Sequence, residues 1–367
     1  MRFVVDLATV ARYRPGTDAE TVRQRYGLDH VVKLASNEYP LPPADGVLVA
    51  VGAALSSINR YPDTHARELR VALADHSGTD VERVAVGNGS LELLLLLGDA
   101  LLAPGREAVC PTPSFAFYRK LCDMHGAGVR AVPLRGATVD LEAMAAAVGE
   151  ATTMAIICNP NNPTGTYVAA REIERFVEHV PDDVLVVIDE AYNEFVTRDD
   201  SQETLELAKR CDNVCVTRTF SKIHGLCALR VGYAICSPII REAIDTLRQP
   251  YNVNLIAQVA AVEALRHPDE VDRRRALNAE LRDRLCRGLE ERGLAVVPSQ
   301  ANFVLADLRP LGLPDDGVCE RLESIGAIVR DGAAFGLPGR ARISVGTREE
   351  IDFLLEKVST LAAERRG

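Results

Sequence analysis

The chain of 367 residues lacks the long apolar runs of a membrane protein. It has no stretch of about 18 consecutive apolar residues. The apolar stretch at its start is interrupted by Asp6 and Thr9, which is not typical of a signal peptide or a membrane anchor. We therefore expect a cytoplasmic protein without a membrane partner.

The sequence also lacks the common signatures of nucleotide and metal binding. It contains no Gly-Lys dipeptide, and hence no P-loop, and no Gly-x-Gly-x-x-Gly fingerprint. Its nine cysteines show no Cys-x-x-Cys spacing and its histidines form no His-Glu-x-x-His motif, so we predict reduced thiols and no metal site. With 42 basic residues against 52 acidic ones, the net charge of -10 argues against a nucleic-acid partner.

Short apolar runs recur through the middle of the chain, and helical patterns separate most of them. Several runs are continuous rather than alternating, which is typical of strands buried on both faces. The predicted strands are 84–86, 108–110, 128–134, 154–158, 184–188, 214–217 and 231–235. This order predicts an α/β fold with a mostly parallel central sheet, covered by helices on both faces, that binds ligands beyond the carboxyl ends of its strands.

The pattern changes after Pro250. Residues 255–292 form one long, charged, amphipathic segment. Short strand patterns follow at 294–297, 303–306, 327–330 and 342–345, and a closing helix at 348–364. We predict a large domain over residues 36–250 and a smaller α+β domain over 251–367, with residues 1–35 associated with the smaller one.

Lysine is scarce, because only five of the 42 basic residues are lysines. Four of them occur in patterns typical of surface residues: Lys33, Lys120, Lys209 and Lys357. The fifth, Lys222, lies in Thr-Phe-Ser-Lys directly after a predicted buried strand. An amine in such a place can be shielded from solvent, become neutral and form an imine. A surface lysine on a loop between a strand and a helix is the alternative.

Two further motifs follow predicted strands at the same edge of the sheet. Asp-Glu-Ala-Tyr at 189–192 supplies the carboxylate of Asp189 and the phenol of Tyr192. An aspartate can keep a pyridine nitrogen protonated, and Asn162, in Asn-Pro-Asn-Asn-Pro-Thr-Gly, can offer its amide to a ring oxygen. The Asp-Glu pair can instead hold Mg²⁺ in a nucleotide enzyme, an alternative weakened by the missing P-loop.

A third motif is a candidate phosphate site. Gly-Asn-Gly-Ser at 87–90 opens a predicted helix, so that backbone N–H groups at Gly89 and the hydroxyl of Ser90 lie at its positive end. A plain helix cap explains these residues equally well. Arg230 adds a guanidinium fork for the same phosphate.

Two aromatic residues complete the candidates. Phe115 can lie flat on an aromatic ring, although aromatic residues at such positions are more often part of the core. Tyr61 lies in a polar loop, where its phenol needs a partner. A phosphate across a subunit boundary is one such partner.

Together, these motifs and Leu-Arg-Val-Gly-Tyr at 229–233 resemble those of the fold type I aminotransferases, which use pyridoxal 5'-phosphate. The resemblance extends over nearly the whole chain. Flanking segments such as Arg-Tyr-Pro-Asp at 60–63 and Arg-Ile-Ser-Val-Gly-Thr at 342–347 are similar to those of histidinol-phosphate aminotransferases in particular.

The resemblance implies a role for each candidate around the cofactor ring. Lys222 would form the covalent link to the cofactor, and Asp189 would pair with the pyridine nitrogen. Tyr192 and Asn162 would contact the ring oxygen, and Phe115 would stack on the ring.

The resemblance also implies two anion sites and a homodimer. The cofactor phosphate would be held by Gly89, Ser90, Ser221 and Arg230. Tyr61 would reach the phosphate from the other subunit, so that the dimer shares its active sites. The anionic end of the substrate would be bound by Tyr13, Arg330 and Arg342.

The expected reaction is a transamination in histidine biosynthesis, from L-histidinol phosphate to 2-oxoglutarate, giving imidazole acetol phosphate and L-glutamate. An aromatic amino acid aminotransferase for phenylalanine or tyrosine is one alternative. A decarboxylase of an O-phosphorylated amino acid that uses the same cofactor is another. Leu91 and His224 depart from the residues common in the family, which leaves the exact donor open.

Overall fold

The computed structural model describes Val5, Val10 and residues 16–312 and 317–364. Two sheets organise these residues. Their strands are β1 (Val32–Leu34), β2 (Val84–Gly87), β3 (Glu107–Thr112), β4 (Gly128–Pro133), β5 (Thr152–Cys158), β6 (Leu185–Asp189), β7 (Val214–Thr219), β8 (Gly232–Cys236), β9 (Val296–Val297), β10 (Phe303–Asp307), β11 (Ala327–Asp331) and β12 (Arg340–Ser344).

Helices lie between most of the strands. They are α1 (Ala19–Tyr26), α2 (Asp45–Ala54), α3 (Arg67–Ser77), α4 (Ser90–Leu101), α5 (Phe117–His125), α6 (Leu141–Ala147), α7 (Ala170–His179), α8 (Glu203–Arg210), α9 (Pro238–Leu247), α10 (Leu255–Leu265), α11 (Pro268–Glu290), α12 (Gly317–Ser324) and α13 (Arg348–Glu364).

The larger sheet has seven strands in the order β2-β8-β7-β6-β5-β3-β4. Its strands β4, β3, β5, β6 and β7 run parallel, and β8 runs antiparallel between β7 and β2. This confirms the predicted mostly parallel sheet. One detail differs, because the loop that carries Lys222 joins two antiparallel neighbours, β7 and β8, rather than a strand and a helix.

Helices cover both faces of this sheet. In β6, Val186 and Ile188 join a core with α2, α3, α7, α8 and α10, whereas Leu185 and Val187 face a core with α4, α5 and α9. Every residue of β6 is buried, which explains why residues 185–188 are all apolar. Burying one such side chain contributes about 1.5–3 kcal/mol, so the central strands are fixed in register and hold their end loops in place.

The smaller sheet has five strands in the order β1-β11-β12-β10-β9. Strand β1 pairs parallel with β11, and β12 lies antiparallel between β11 and β10. Leucines of α11 and α13, such as Leu285 and Leu354, pack against the sheet. Residues 32–34 of the N-terminal segment therefore belong to this sheet, although the predicted domain boundaries stay a prediction.

The amphipathic segment predicted at 255–292 consists of two helices, α10 and α11. The break lies at His267, whose φ of -118° and ψ of 58° are not helical, directly before Pro268. A proline disfavours helical backbone at the preceding residue and suits the first position of a new helix.

Two further observations concern the described residues as a whole. None of their helices combines the length and apolar character that a membrane span requires. All nine cysteines have free thiols.

Candidate active site

The candidate residues meet at one end of the seven-stranded sheet. Asp189 is the last residue of β6, and Asn162 and Lys222 lie in the loops that follow β5 and β7. These three strands are neighbours and run parallel, so their carboxyl ends share one edge. Ligand groups of a doubly wound sheet are found at this edge.

Asp189 is held by two hydroxyl groups. Tyr118 on α5 donates to its Oδ2 over 2.7 Å, and Thr217 on β7 donates to its Oδ1 over 3.3 Å. Burial raises the pKa of Asp189 above its ordinary value, and the hydrogen bonds from Tyr118 and Thr217 oppose this rise. The carboxylate is thus oriented, and its negative charge is stabilised in a buried position.

Lys222 is partly buried, and its amine lies among polar groups. Its Nζ donates to the carbonyl oxygen of Asn37 over 3.1 Å and lies 5.5 Å from the centre of the Tyr192 ring. Burial and the nearby charge of Arg342 lower the pKa of Lys222 to about 8. A substantial fraction of this amine is therefore neutral near pH 8, unlike that of an exposed lysine.

Tyr192 connects several groups of the site. Its hydroxyl accepts hydrogen bonds from the amide of Asn37 over 3.0 Å and from the amide of Asn162 over 3.4 Å. Burial raises the pKa of Tyr192 to about 12, so the phenol stays protonated and keeps a proton to donate. The side-chain oxygen Oδ1 of Asn162 accepts in turn from Arg342 over 2.7 Å.

The start of α4 forms a cradle with Arg230. Gly89 precedes the helix with a φ of 80°, and a Cβ at this position would lie 2.5 Å from a guanidinium nitrogen of Arg230. A φ of 80° is strained for any residue with a Cβ, so the backbone here favours glycine. Arg230 donates to Ser221 Oγ over 3.3 Å and to the carbonyl of Cys227 over 2.9 Å. With Ser90 as the first residue of the helix, backbone N–H groups, two hydroxyls and a guanidinium lie close together.

Phe115 lies beside this group of residues rather than deep in the core. It is partly buried, and its ring meets the edge of Tyr118 at a centroid distance of 5.6 Å and an angle of 89°. Tyr118 thus contacts both the ring of Phe115 and the carboxylate of Asp189.

Two arginines of the smaller sheet face the same region. Arg330 on β11 and Arg342 on β12 are direct cross-strand partners. Arg342 is buried, donates to the carbonyl of Ala35 over 2.7 Å, and lies between the rings of Phe303 and Phe335. Paired positive charges of this kind favour an anionic ligand. The third predicted substrate residue, Tyr13, lies outside the described residues.

Tyr61 lies apart from the other candidates. Its side chain is 82% exposed, and its ring stacks on Tyr251 at 4.5 Å. Within one chain this ring stacks on Tyr251 and not on the residues of the cradle at Gly89. Its predicted role across a subunit boundary stays a prediction.

His224, one of the family departures, has a partly buried side chain. Its ring lies 4.8 Å from the ring of Phe220. Burial lowers its pKa to about 3, so the imidazole is neutral at ordinary pH. It is therefore a poor proton carrier for a reaction at neutral pH.

Sequence reasoning missed two residues of the site. Asn37 contacts both Lys222 and Tyr192, and Tyr118 contacts Asp189. Tyr118 lies three residues after Phe115, so helical spacing could have brought it into consideration. Asn37 lies in a short segment before Pro40 and meets residues 155 and 185 positions away, which no local pattern reveals.

The arrangement combines three chemical functions. The amine of Lys222 can attack a carbonyl and move a proton, Asp189 can protonate a heteroaromatic nitrogen, and the cradle around Arg230 can hold a phosphate. Across the described part of the chain, no group of three or more His, Cys, Asp or Glu side chains is placed to hold a metal ion.

Comparisons with known proteins agree with this chemistry. The model of the family "Aminotransferase class I and II" matches residues 29–358. A histidinol-phosphate aminotransferase of Geobacillus thermodenitrificans is 43% identical over 357 residues, covering 96% of each chain. One of Brevibacillus brevis is 41% identical over 343 residues, covering 94% of this chain and 93% of the relative.

A solved structure supports the same relationship. The crystal structure of histidinol-phosphate aminotransferase from Sinorhizobium meliloti in complex with pyridoxal-5'-phosphate superposes with a TM-score of 0.89 at 29% identity, covering 96% of each chain. The matched region contains the lysine, aspartate, asparagine and arginine at the sheet edge. This chain belongs to the family of class I and II aminotransferases.

Proposed function

We propose that this aminotransferase uses pyridoxal 5'-phosphate to transfer the amino group of L-histidinol phosphate to 2-oxoglutarate. The products are imidazole acetol phosphate and L-glutamate. One observation carries the proposal: the amine of Lys222, with its pKa lowered to about 8, lies in the same site as the hydrogen-bonded carboxylate of Asp189. The names of the relatives, at about 40% identity over nearly the whole chain, support the donor.

The residues at the start of α4 fit the phosphate of the cofactor. The missing Cβ of Gly89 leaves space beside Arg230, and the helix end presents backbone N–H groups to the same space. Ser90 and Ser221 add hydroxyl donors. A dianionic phosphate would satisfy these donors and balance the charge of Arg230.

The sheet edge fits the cofactor ring. Asp189 would bond to the pyridine nitrogen, Phe115 would cover one face of the ring, and Tyr192 with Asn162 would bond to the ring oxygen. When bound, the cofactor supplies a protonated pyridine that withdraws electrons from the carbon losing its proton. The hydrogen bonds from Tyr118 and Thr217 oppose the rise in the pKa of Asp189 that burial causes, and so favour its charged form.

Lys222 is the only amine among the residues that meet at this edge. It would bind the cofactor. When free, its amine would take the proton from the α carbon of the donor and pass it to the cofactor. General acid–base catalysis of this kind contributes about 100- to 10,000-fold to the rate. The lowered pKa of Lys222 keeps its amine available as a base near neutral pH.

Arg342, Arg330 and Tyr13 would bind the anionic end of each substrate. A phosphate and a carboxylate can each accept two parallel hydrogen bonds from a guanidinium group. One pair of arginines can therefore bind the substrates of both half-reactions. Arg342 is already fixed by Asn162 and Ala35. Its position therefore need not change between the two substrates.

We also propose a homodimer in the cytoplasm. Apolar side chains are exposed along residues 48–61, where a second copy of the chain would cover them. They are Leu48, Val49, Leu55, Ile58 and Tyr61. Tyr61 would then reach the phosphate cradle of the other subunit. The nine free thiols fit a reducing compartment.

A half-reaction screen tests the donor. The protein loaded with pyridoxal 5'-phosphate is mixed with L-histidinol phosphate, L-phenylalanine or O-phospho-L-threonine, and its absorbance is followed in a stopped-flow instrument. We expect L-histidinol phosphate to convert the bound cofactor to its amine form at the highest kcat/KM. Faster conversion by L-phenylalanine, or release of CO₂ from O-phosphothreonine, would contradict the proposed substrate.

A further inference from the structure

Asn37 is a buried residue with an unusual backbone. Its side chain is 1% exposed and its φ is 53°, in the left-handed region. Asparagine enters this region more readily than other residues except glycine. The conformation turns the carbonyl and the side-chain amide of one residue toward different partners.

The carbonyl oxygen of Asn37 receives two hydrogen bonds. Lys222 Nζ donates over 3.1 Å, and the amide of Asn302 donates over 3.1 Å. Lys222 follows β7 of the larger sheet, and Asn302 precedes β10 of the smaller one. This one oxygen therefore links the reactive amine to the smaller sheet.

The side chain of Asn37 is also fixed at both ends. Its Nδ2 donates to the hydroxyl of Tyr192 over 3.0 Å, and its Oδ1 accepts from Ser344 Oγ over 3.1 Å. The backbone N–H of Asn37 donates to the same Ser344 oxygen over 2.8 Å. The amide plane is thus held by β12 while it aims a donor at the phenol.

We propose that Asn37 is a positioning residue, whose carbonyl holds the amine of Lys222 whenever that amine is not bonded to the cofactor and whose amide orients the Tyr192 hydroxyl. The inference rests on the proposed function. It explains why a strained, buried asparagine occupies the junction of the two sheets. The two roles belong to different parts of the residue. The backbone carbonyl accepts a hydrogen bond from Lys222, and the side-chain amide donates one to Tyr192.

Charged groups around Lys222 set the pKa of its amine, and a substitution at Asn37 can change that pKa. Arg342 on β12 and Arg230 in the loop before β8 disfavour the charged amine, whereas Glu38 and Cys227 favour it. Tyr192 contributes a neutral phenol. Asn37 itself carries no charge. Asn37→Asp would add a carboxylate to the residue whose backbone carbonyl binds the amine, and this negative charge would favour the ammonium form of Lys222.

The test uses two variants that both tolerate left-handed backbone. Asn37→Gly keeps the carbonyl and loses the amide, and Asn37→Asp keeps the shape and adds a charge. Asn213→Asp, at the opposite end of β7, is the matched control. In each cofactor-free, full-length protein, acetic anhydride labels lysines over a range of pH, and mass spectrometry of the Lys222 peptide gives the apparent pKa.

We expect Asn37→Asp to raise the apparent pKa of Lys222 by about one unit, and Asn37→Gly and Asn213→Asp to leave it unchanged. In the loaded enzyme, Asn37→Gly should slow the maximal half-reaction rate roughly 3- to 10-fold at unchanged KM, the effect of one lost hydrogen bond. An unchanged labelling profile in Asn37→Asp, or an unchanged rate in Asn37→Gly, would overturn the inference.

The labelling result is independent of the donor. If the unaltered protein converts none of the three donors, the proposed function fails while the labelling profile still reports on Asn37. If the unaltered protein converts L-histidinol phosphate and the Asn37 variants match it in both measurements, only the inference fails.

Discussion

The two halves of the site are built in different ways. The half around Asp189 comes from one sheet, because Thr217 is on the neighbouring strand and Tyr118 is on a helix that packs against the same sheet. The half around Arg342 joins two sheets, since Arg342 lies on β12 of the smaller sheet and its partner Asn162 lies in the loop after β5 of the larger one. The first half is preformed within a rigid core, whereas the second requires the sheets to approach each other.

This difference predicts a division of kinetic effects. Groups around Asp189 would act on the reaction at the cofactor and should change kcat. Groups around Arg342 would bind the end of the substrate and should change mainly KM. The following substitutions test that division.

Lys222 lies between the two halves and should have the largest effect. Lys222→Ala removes both the covalent attachment of the cofactor and the base, so kcat should fall by at least about 100- to 10,000-fold. Steady-state assays with L-histidinol phosphate and 2-oxoglutarate measure the loss. Lys209→Ala, which removes an amine that pairs with Glu206, is the control and should retain full activity. Continued multiple turnover by Lys222→Ala would refute its assignment.

Arg342→Gln should weaken the substrate half. It removes two charged hydrogen bonds and the positive charge that would meet the substrate anion, so kcat/KM should fall by about 10- to 100-fold, mainly through KM. Arg348→Gln removes an exposed arginine that pairs with Glu280 and should leave both constants unchanged. A loss confined to kcat would contradict the proposal that groups around Arg342 act mainly on KM.

Tyr118→Phe should weaken the cofactor half. The variant loses the 2.7 Å bond to Asp189, which raises the pKa of the carboxyl further and weakens its hold on the pyridine proton. We expect kcat to fall about tenfold at constant KM, and the acid limb of its pH profile to move to higher pH. Tyr167→Phe removes a comparable bond, to Asp200, away from the site and is the control. An unchanged pH profile in Tyr118→Phe would argue against this role.

The pH dependence of cofactor capture gives the smallest effect. Only the neutral amine of Lys222 attacks the aldehyde of pyridoxal 5'-phosphate, so the capture rate of the cofactor-free chain should rise with pH and level off above about 8. Because Arg342 lowers this pKa, the inflection should move to higher pH in Arg342→Gln. Rapid-mixing absorbance measures both curves. An inflection near the ordinary lysine value in the unaltered chain would contradict the buried environment of the amine.

The same contrast explains what the sequence could predict. Asp189 ends a predicted strand, and Asn162 and Lys222 follow two others, so their meeting at one sheet edge follows from parallel topology. Gly89 and Ser90 were identifiable because they open a helix. These features depend on residues close together in sequence.

Contacts between the sheets could not be predicted in this way. The bond from Arg342 to Asn162, and the role of Asn37, depend on how the smaller sheet packs against the larger one. The break before Pro268 was missed for a local reason, because helical periodicity continues on both sides of it.

Chemical mapping of the cofactor attachment tests the central claim most directly. The chain is loaded with pyridoxal 5'-phosphate, reduced with borohydride and digested, and the peptides are analysed by mass spectrometry. We predict one phosphopyridoxyl group per chain, attached to Lys222. A label on Lys33, Lys120, Lys209 or Lys357 instead, or no label at all, would contradict the account.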